Sequence, residues 1–269
     1  MERDQGGSRP TFRLSPHLCM RTRLTHFWRR AGWNEFVFGL AAVVFCVSVW
    51  GFFELADDAP EGDYRHIEDR ILLSFRVEGD PTQPVGPWWL PEVGRDVTAL
   101  GSAVVLTIVT ALVIGFMLLR RRFRSAVLVL LATAGGYAIN SALKEHFERG
   151  RPDVVAHLVE ETSMSFPSGH SMVGAATYLT LGVLLGQTVA RRREKIYFVA
   201  TALLLSFVVG LSRVYLGVHY PTDVLAGWAA GMAWAILCWG VTTWLQWRGT
   251  IRTPPESDDT ASVQSGEAT

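Results

Sequence analysis

Val97 to Leu119 is a run of 23 residues without a charge. About 20 apolar residues in helical form span the hydrocarbon of a bilayer, so a run of this kind limits what the chain can be. Five further apolar runs accompany it: Phe36–Phe53, Ser125–Leu143, Gly169–Ala190, Ile196–Leu216 and Val224–Trp247. The expected fold class is therefore all-α, an integral membrane bundle of six transmembrane helices. Hydrophobic residues make up 49% of the chain and charged ones 19%, and the charges are segregated between the runs, as in a membrane protein and not a soluble globule. Formal net charge is zero, so no global bias toward nucleic acid exists.

Charge placement fixes an expected topology. Arg21, Arg23, Arg29 and Arg30 precede the first run; Arg120–Arg124 ("RRRFR"), Arg191–Lys195 ("RRREK") and Arg248 lie in the other basic connections. Six-span alternation puts all four on one side, which the positive-inside rule makes cytoplasmic. Both termini are then cytoplasmic. The segment from Asp57 to Asp96, with ten acidic residues, and the loops at 144–168 and 217–223 face outward. The first run begins only at Phe36, late for a cleavable signal, and reads as a retained span. Residues 1–33 form a basic cytoplasmic tail, 34–248 the membrane domain, and 249–269 a polar, acidic, disordered tail.

Within the outward segment, "IEDRILLSFR" has helical apolar spacing that puts Ile67, Ile71, Leu72 and Phe75 on one face, and "GPWWLPEVG" follows with Trp88 and Trp89. Residues 66–93 suit a segment lying on the membrane surface. Cys19, Cys46 and Cys238 match no zinc spacing and imply no disulfide framework. The glycine pairs Gly182/Gly186 and Gly227/Gly231 fit close helix packing within the bundle.

Three polar clusters sit at the outward ends of spans three to six. "KEHFERGRP" carries Lys144, Arg151 and Pro152; "PSGH" carries Ser168, Gly169 and His170; "SRVYLGVHYPTD" carries Ser212, Arg213, His219 and Asp223. Lys144 and Arg151 are seven apart and share a face if the helix continues. Three cations converging at one membrane surface call for a strongly anionic ligand, and guanidinium forks match phosphate oxygens two at a time. A helix that starts near Ser168 points unpaired N–H groups outward, which favours phosphate; Ser168 is a good N-cap, and Gly169 leaves room for a ligand to approach the backbone. His219 and Asp223, four apart, can form a carboxylate–imidazole pair that leaves one ring nitrogen free to attack. His170 can give a proton to a leaving oxygen. Singly, Arg151 would be a loop charge, His219 an interfacial histidine, Ser168 a plain N-cap and Arg213 a snorkelling side chain. Their coincidence on one face argues against all of those together. The residues alone leave open which histidine attacks.

These stretches resemble the three signature motifs of the type 2 phosphatidic acid phosphatase (PAP2) superfamily: Lys-x6-Arg-Pro, Pro-Ser-Gly-His and Ser-Arg-x5-His-x3-Asp, with every signature position present. The resemblance implies that His219 is the nucleophile of a phosphohistidine intermediate, Asp223 its orienting carboxylate and His170 the general acid. It implies that Lys144, Arg151, Ser168, Gly169 and Arg213 bind phosphate, and that neither a metal nor another cofactor takes part. The substrate implied is a lipid phosphate met at the bilayer: undecaprenyl diphosphate, phosphatidate or phosphatidylglycerophosphate. A transporter built on the same cations would need a polar path through the membrane, and the runs show little of one: Asn140 and Gln246 are scattered, and no inner-side counterpart of the cation cluster appears. A vanadate-dependent haloperoxidase shares the phosphate motifs, but its known examples are soluble.

Overall fold

The computed structural model describes residues 16–247. The tail expected to be disordered at 249–269 lies outside them. The chain divides into two compact units, Met1–Val44 and Phe45–Thr269. The described part of the first is helical, the beginning of α1 (Pro16–Glu61), so the basic segment ahead of Phe36 is helix from Pro16 onward. The second unit holds the rest of α1 and every other element. In order these are α2 (Arg65–Ser74), β1 (Arg76–Val77), β2 (Asp80–Pro84), α3 (Leu90–Ala99), α4 (Ala103–Leu119), α5 (Phe123–Phe147), α6 (Gly169–Gln187), α7 (Arg192–Tyr215) and α8 (Pro221–Trp247).

Among the described residues four helices are long and apolar enough to cross a membrane: Glu35–Ala59 within α1, and α5, α7 and α8. The run at Val97–Leu119 is not one straight helix. It is the pair α3 and α4, bent by 43° at Leu100–Ser102, and counts as a fifth crossing if the pair is one span. Ser102 caps α4 by accepting from the Val105 N–H at 3.3 Å. α6 falls outside that group. It has 19 residues, His170 in its first turn, and is rich in Gly, Ala, Ser and Thr. Most of its side chains, Ser171 to Thr177 among them, are buried against neighbouring helices, so it needs little apolar coat.

The helices behave as lipid-facing staves around α6. On α4, Val104, Ile108, Leu112 and Phe116 form an exposed stripe at i, i+4 spacing. Inside, hydroxyls bridge helices where hydrocarbon offers no partner: Thr133 on α5 lies 3.1 Å from both Thr110 of α4 and Thr177 of α6. The Trp228 indole donates to the Ser206 carbonyl at 3.0 Å, tying α8 to α7. Gly227 and Gly231 bring α8 onto α6. A methyl at Gly227 would meet the Ser168 carbonyl oxygen at 2.8 Å, and one at Gly231 would strike the Met172 carbonyl.

The outward segment departs from its expectation in two ways. Of the four apolar residues assigned to one face, Leu72 is fully buried and Phe75 half-buried, whereas Ile67 and Ile71 are exposed. The residue buried beside Leu72 is Glu68. The chain is also not purely helical: β1 and β2 pair antiparallel around Gly79 at φ +81°. Two prolines and almost no alternation hid this hairpin. Buried Arg76 anchors it, donating to the carbonyls of Phe75, Tyr215 and Ala156 at 3.0–3.1 Å. Trp88 is 86% exposed.

Replacing Gly231 by Ala should lower the thermal midpoint in detergent by the equivalent of about 1–3 kcal/mol of overpacking. Gly240→Ala, in the same helix with nothing within 4 Å of the added carbon, should be neutral or raise it. Equal shifts for the two would sink this account of the α6–α8 contact.

Candidate active site

The site is built on the turn from α7 to α8. Gly217, at φ +77°, lets the chain reverse, and a methyl there would collide with Arg76 at 2.6 Å. The turn brings His219 and Asp223 inside; Asp223 is fully buried in the first turn of α8. Its Oδ2 accepts the Tyr220 N–H at 2.9 Å and the Ser165 hydroxyl at 2.5 Å. His219 Nδ1 lies 3.4 Å from the same oxygen and 3.3 Å from Ser165 Oγ. With Nδ1–H on the Asp223 side, Nε2 carries the lone pair and faces Arg151 Nη1 at 3.4 Å. Burial pushes the His219 imidazole down to about 4; Asp223 opposes that shift, and Arg213 and Arg151 add to it. The ring is therefore neutral at neutral pH.

The expected cations do converge, by a route different from the one their spacing suggested. α5 stops at Phe147 because Glu148 takes a left-handed conformation at φ 45°, so Lys144 and Arg151 do not share a helix face. They meet instead on the returning loop. Lys144 Nζ donates to Ser163 Oγ at 2.9 Å and to the Met164 carbonyl at 2.6 Å. Arg151 donates to the Ser163 carbonyl at 2.8 Å, to Ser163 Oγ at 3.2 Å and to the Val218 carbonyl at 2.7 Å. Arg213 is 1% exposed, in the last turn of α7. It donates to Thr98 Oγ1 at 3.1 Å, and its buried Nε has no hydrogen-bond partner among the described residues.

"PSGH" forms the start of α6. Ser168 occupies the N-cap position, but its side chain makes no capping bond; its hydroxyl accepts from Ser171 at 3.1 Å. Its N–H donates to the Asp223 carbonyl at 3.0 Å, which fixes α6 to α8. The space at Gly169 is taken by Asn140, whose Oδ1 would lie 2.9 Å from an added methyl. The glycine thus serves a close packing contact, which corrects the expectation that the gap admits a ligand. His170 packs on Gly101, where α3 breaks into α4, within electrostatic reach of Glu161, Arg213 and His219.

Several residues of the site were not read from the sequence. Arg149 bridges two buried carboxylates, Asp223 Oδ1 at 2.7 Å and Glu68 Oε2 at 2.7 Å, and donates to Thr222 Oγ1 at 2.8 Å. The Thr222 hydroxyl in turn donates to Glu68. Burial works against the Arg149 charge, but Asp223 and Glu68 more than compensate and hold its guanidinium above the usual value. Glu161 bridges the other two guanidiniums: Oε1 pairs with Arg213 and Oε2 lies 3.6 Å from Arg151. Burial would raise its carboxyl; Arg213 and Arg151 outweigh that and hold it below the usual range. Only the two-residue distance of Arg149 from Arg151 could have drawn attention to it. Glu68 and Glu161 carry no local signal.

Comparison with known proteins finds relatives by sequence and by fold. A family model described as PAP2 superfamily matches residues 125–247. A phosphatidylglycerophosphatase B of Bacillus subtilis is 38% identical over 147 residues, 54% of this chain and 71% of that protein. A lipid A 1-phosphatase of Rhizobium etli is 28% identical over 184 residues, 57% of this chain and 74% of that protein. The crystal structure of a transmembrane PAP2 type phosphatidylglycerolphosphate phosphatase from Bacillus subtilis superposes with a TM-score of 0.68 at 31% identity, covering 75% of this chain and 96% of that one.

Arg149→Ala would leave two carboxylates buried without their cation, at a cost of about 3–5 kcal/mol. Thermal unfolding in detergent should show it, beside a shift under about 1 kcal/mol for Arg95→Ala, whose partner Glu92 is exposed. Similar shifts for both would mean that the buried pair is not what holds Asp223.

Proposed function

The chain belongs to the PAP2 superfamily, and on that premise we propose that residues 34–248 form a six-span lipid phosphatase of the cell membrane, with both termini cytoplasmic and the site facing outward. α6 is the sixth crossing, sheltered by its neighbours. The observation that carries the reading is the orientation of His219: Nδ1 toward Asp223 and Ser165, and Nε2 toward the cations.

The reaction follows from that orientation. A terminal phosphate lies among Lys144, Arg151, Arg213 and the first N–H groups of α6, where charge on its equatorial oxygens is stabilised. Nε2 of His219 attacks phosphorus, and the bond from phosphorus to the leaving oxygen breaks. Asp223 steadies the imidazolium character that develops on His219, and His170 protonates the leaving oxygen. Water, deprotonated by His170, then attacks the phosphohistidine; inorganic phosphate leaves and His219 is restored. Side-chain cations take the part a metal clamp plays elsewhere, so turnover proceeds without a divalent ion. The names of the relatives support a lipid phosphate as substrate, phosphatidylglycerophosphate first; the resemblance of the motifs adds phosphatidate and, as the diphosphate candidate, undecaprenyl diphosphate. The exposed Trp88 and Trp89 support a surface segment beside the entrance for such a lipid.

Purified full-length protein in detergent with chelator should release phosphate from at least one of these three lipids. His219→Ala should lower kcat at least about a thousandfold. No release from any lipid, or release that survives the substitution, overturns the reading. A strict divalent-ion requirement overturns only the metal-free part. The low-lying imidazole sets a sign for pH: His219 accepts a proton only as pH falls through about 4, so kcat/KM should hold from neutral pH to about 5 and drop near 4. An acid limb centred near the free-histidine value would contradict this placement of the nucleophile.

A further inference from the structure

The pocket proposed for phosphate is not an open set of cations. Glu161, on the loop between α5 and α6, gives one carboxylate oxygen to Arg213 and the other to Arg151. Lys144 and His170 also lie within its electrostatic reach. Every cation assigned to the substrate therefore faces this one carboxylate. It spreads two oxygens over two guanidiniums, as two oxygens of a phosphate would. The match is incomplete: buried Arg213 Nε is left without a partner among the described residues, a donor that a carboxylate does not reach and a larger oxyanion can. Arg213 is almost fully enclosed, whereas the Glu161 side chain is 24% exposed on an irregular loop. The carboxylate can turn outward to water; the guanidinium cannot.

We infer that Glu161 holds the place of the phosphate in the unliganded site and screens which anions are admitted, terminal phosphates displacing it and phosphodiesters failing to. This rests on the phosphatase reading above. Two buried cations without an anion would be costly, so the resting site needs a counter-charge. A ligand must outcompete that counter-charge to enter. A terminal monoester or diphosphate brings close to two negative charges and three free oxygens, enough to replace the carboxylate and engage Arg213 Nε. A phosphodiester brings one charge and two free oxygens, no more than the carboxylate already supplies. Phosphodiesters make up most of the headgroups around a membrane-surface site, and a site of bare arginines would be blocked by them. Specificity here comes from an element that opposes the wrong ligand as well as one that attracts the right one.

The test compares wild type with Glu161→Gln, which keeps the shape and removes the charge, using inorganic phosphate and the phosphodiester glycerophosphocholine as probes. Binding is read as the ligand-induced rise in thermal midpoint of the full-length protein in detergent, independently of turnover. Glu161→Gln should bind phosphate at least tenfold more tightly than wild type. Glycerophosphocholine, inert toward wild type, should stabilise the variant and inhibit it. Phosphate affinity that is equal or weaker in the variant overturns the inference. If the glutamine variant does not fold, Glu161→Asp, whose shorter carboxylate draws back from the arginines, should also tighten phosphate binding, and unchanged affinity there overturns it equally. Phosphate binding to neither wild type nor variant overturns the phosphatase reading itself.

Discussion

The end of the bundle that carries the site depends on one buried carboxylate. Asp223 has no contact with water, and five groups converge on it. Arg149 takes Oδ1, the Ser165 hydroxyl and the Tyr220 N–H take Oδ2, His219 Nδ1 stands beside Oδ2, and its backbone carbonyl accepts from Ser168. Through these partners one residue of α8 sets the position of the loop after α5, the turn after α7 and the beginning of α6. A charge in such a place persists only if its lone pairs are satisfied. The hydrogen bonds that satisfy them are also the ones that orient the histidine, so folding and positioning share the same contacts.

The positive charge of the site is organised in two layers. Arg149 is enclosed by Asp223, Glu68 and Thr222, with the Tyr220 ring 4.5 Å from its guanidinium carbon. None of its partners is exposed enough to leave. Among the described residues Arg151 and Arg213 form their ion pairs with Glu161, which reaches solvent. Two arginines two residues apart thus serve different ends: the first is locked into the scaffold and the second remains exchangeable. Glu68 extends the inner layer, because α2 delivers it to Arg149, the partner of Asp223. That helix is therefore joined to the site by buried charge, not merely laid across it.

Apolar runs and three short motifs made most of this legible in the sequence. Segments without charge announce helices whatever their tertiary neighbours, and His219 with Asp223 announce themselves by a four-residue spacing that survives in the structure. The unread part has a common cause. Glu68 lies on the same face of α2 as Leu72 and Phe75 by spacing, but its charge argues for solvent, and only the arrival of Arg149 from 81 residues away makes its burial favourable. Glu161 lies in a loop with no periodicity at all. The separation of Lys144 from the helix face of Arg151 turns on the left-handed conformation of Glu148, which a non-glycine residue does not advertise. Charges paired over long sequence distances leave no local trace, and the site is made mostly of such pairs.

α6 shows how one local choice serves both fold and site. Its small residues make it less apolar than the helices long and apolar enough to cross a membrane, yet they allow Gly227 and Gly231 of α8 to approach its backbone. Larger, greasier side chains would hold the two helices apart, and the Ser168 N–H would no longer reach the Asp223 carbonyl at 3.0 Å. His170 and His219, carried by opposite sides of that contact, would separate with them. The small residues of the central helix thus let His170, in its first turn, stand within electrostatic reach of His219, on the turn that precedes α8. The polar opening "PSGH" belongs to the same compromise: this end of α6 meets the Asp223 carbonyl and lies among Arg213, Glu161 and His219, surroundings that suit polar residues and not ones that prefer lipid.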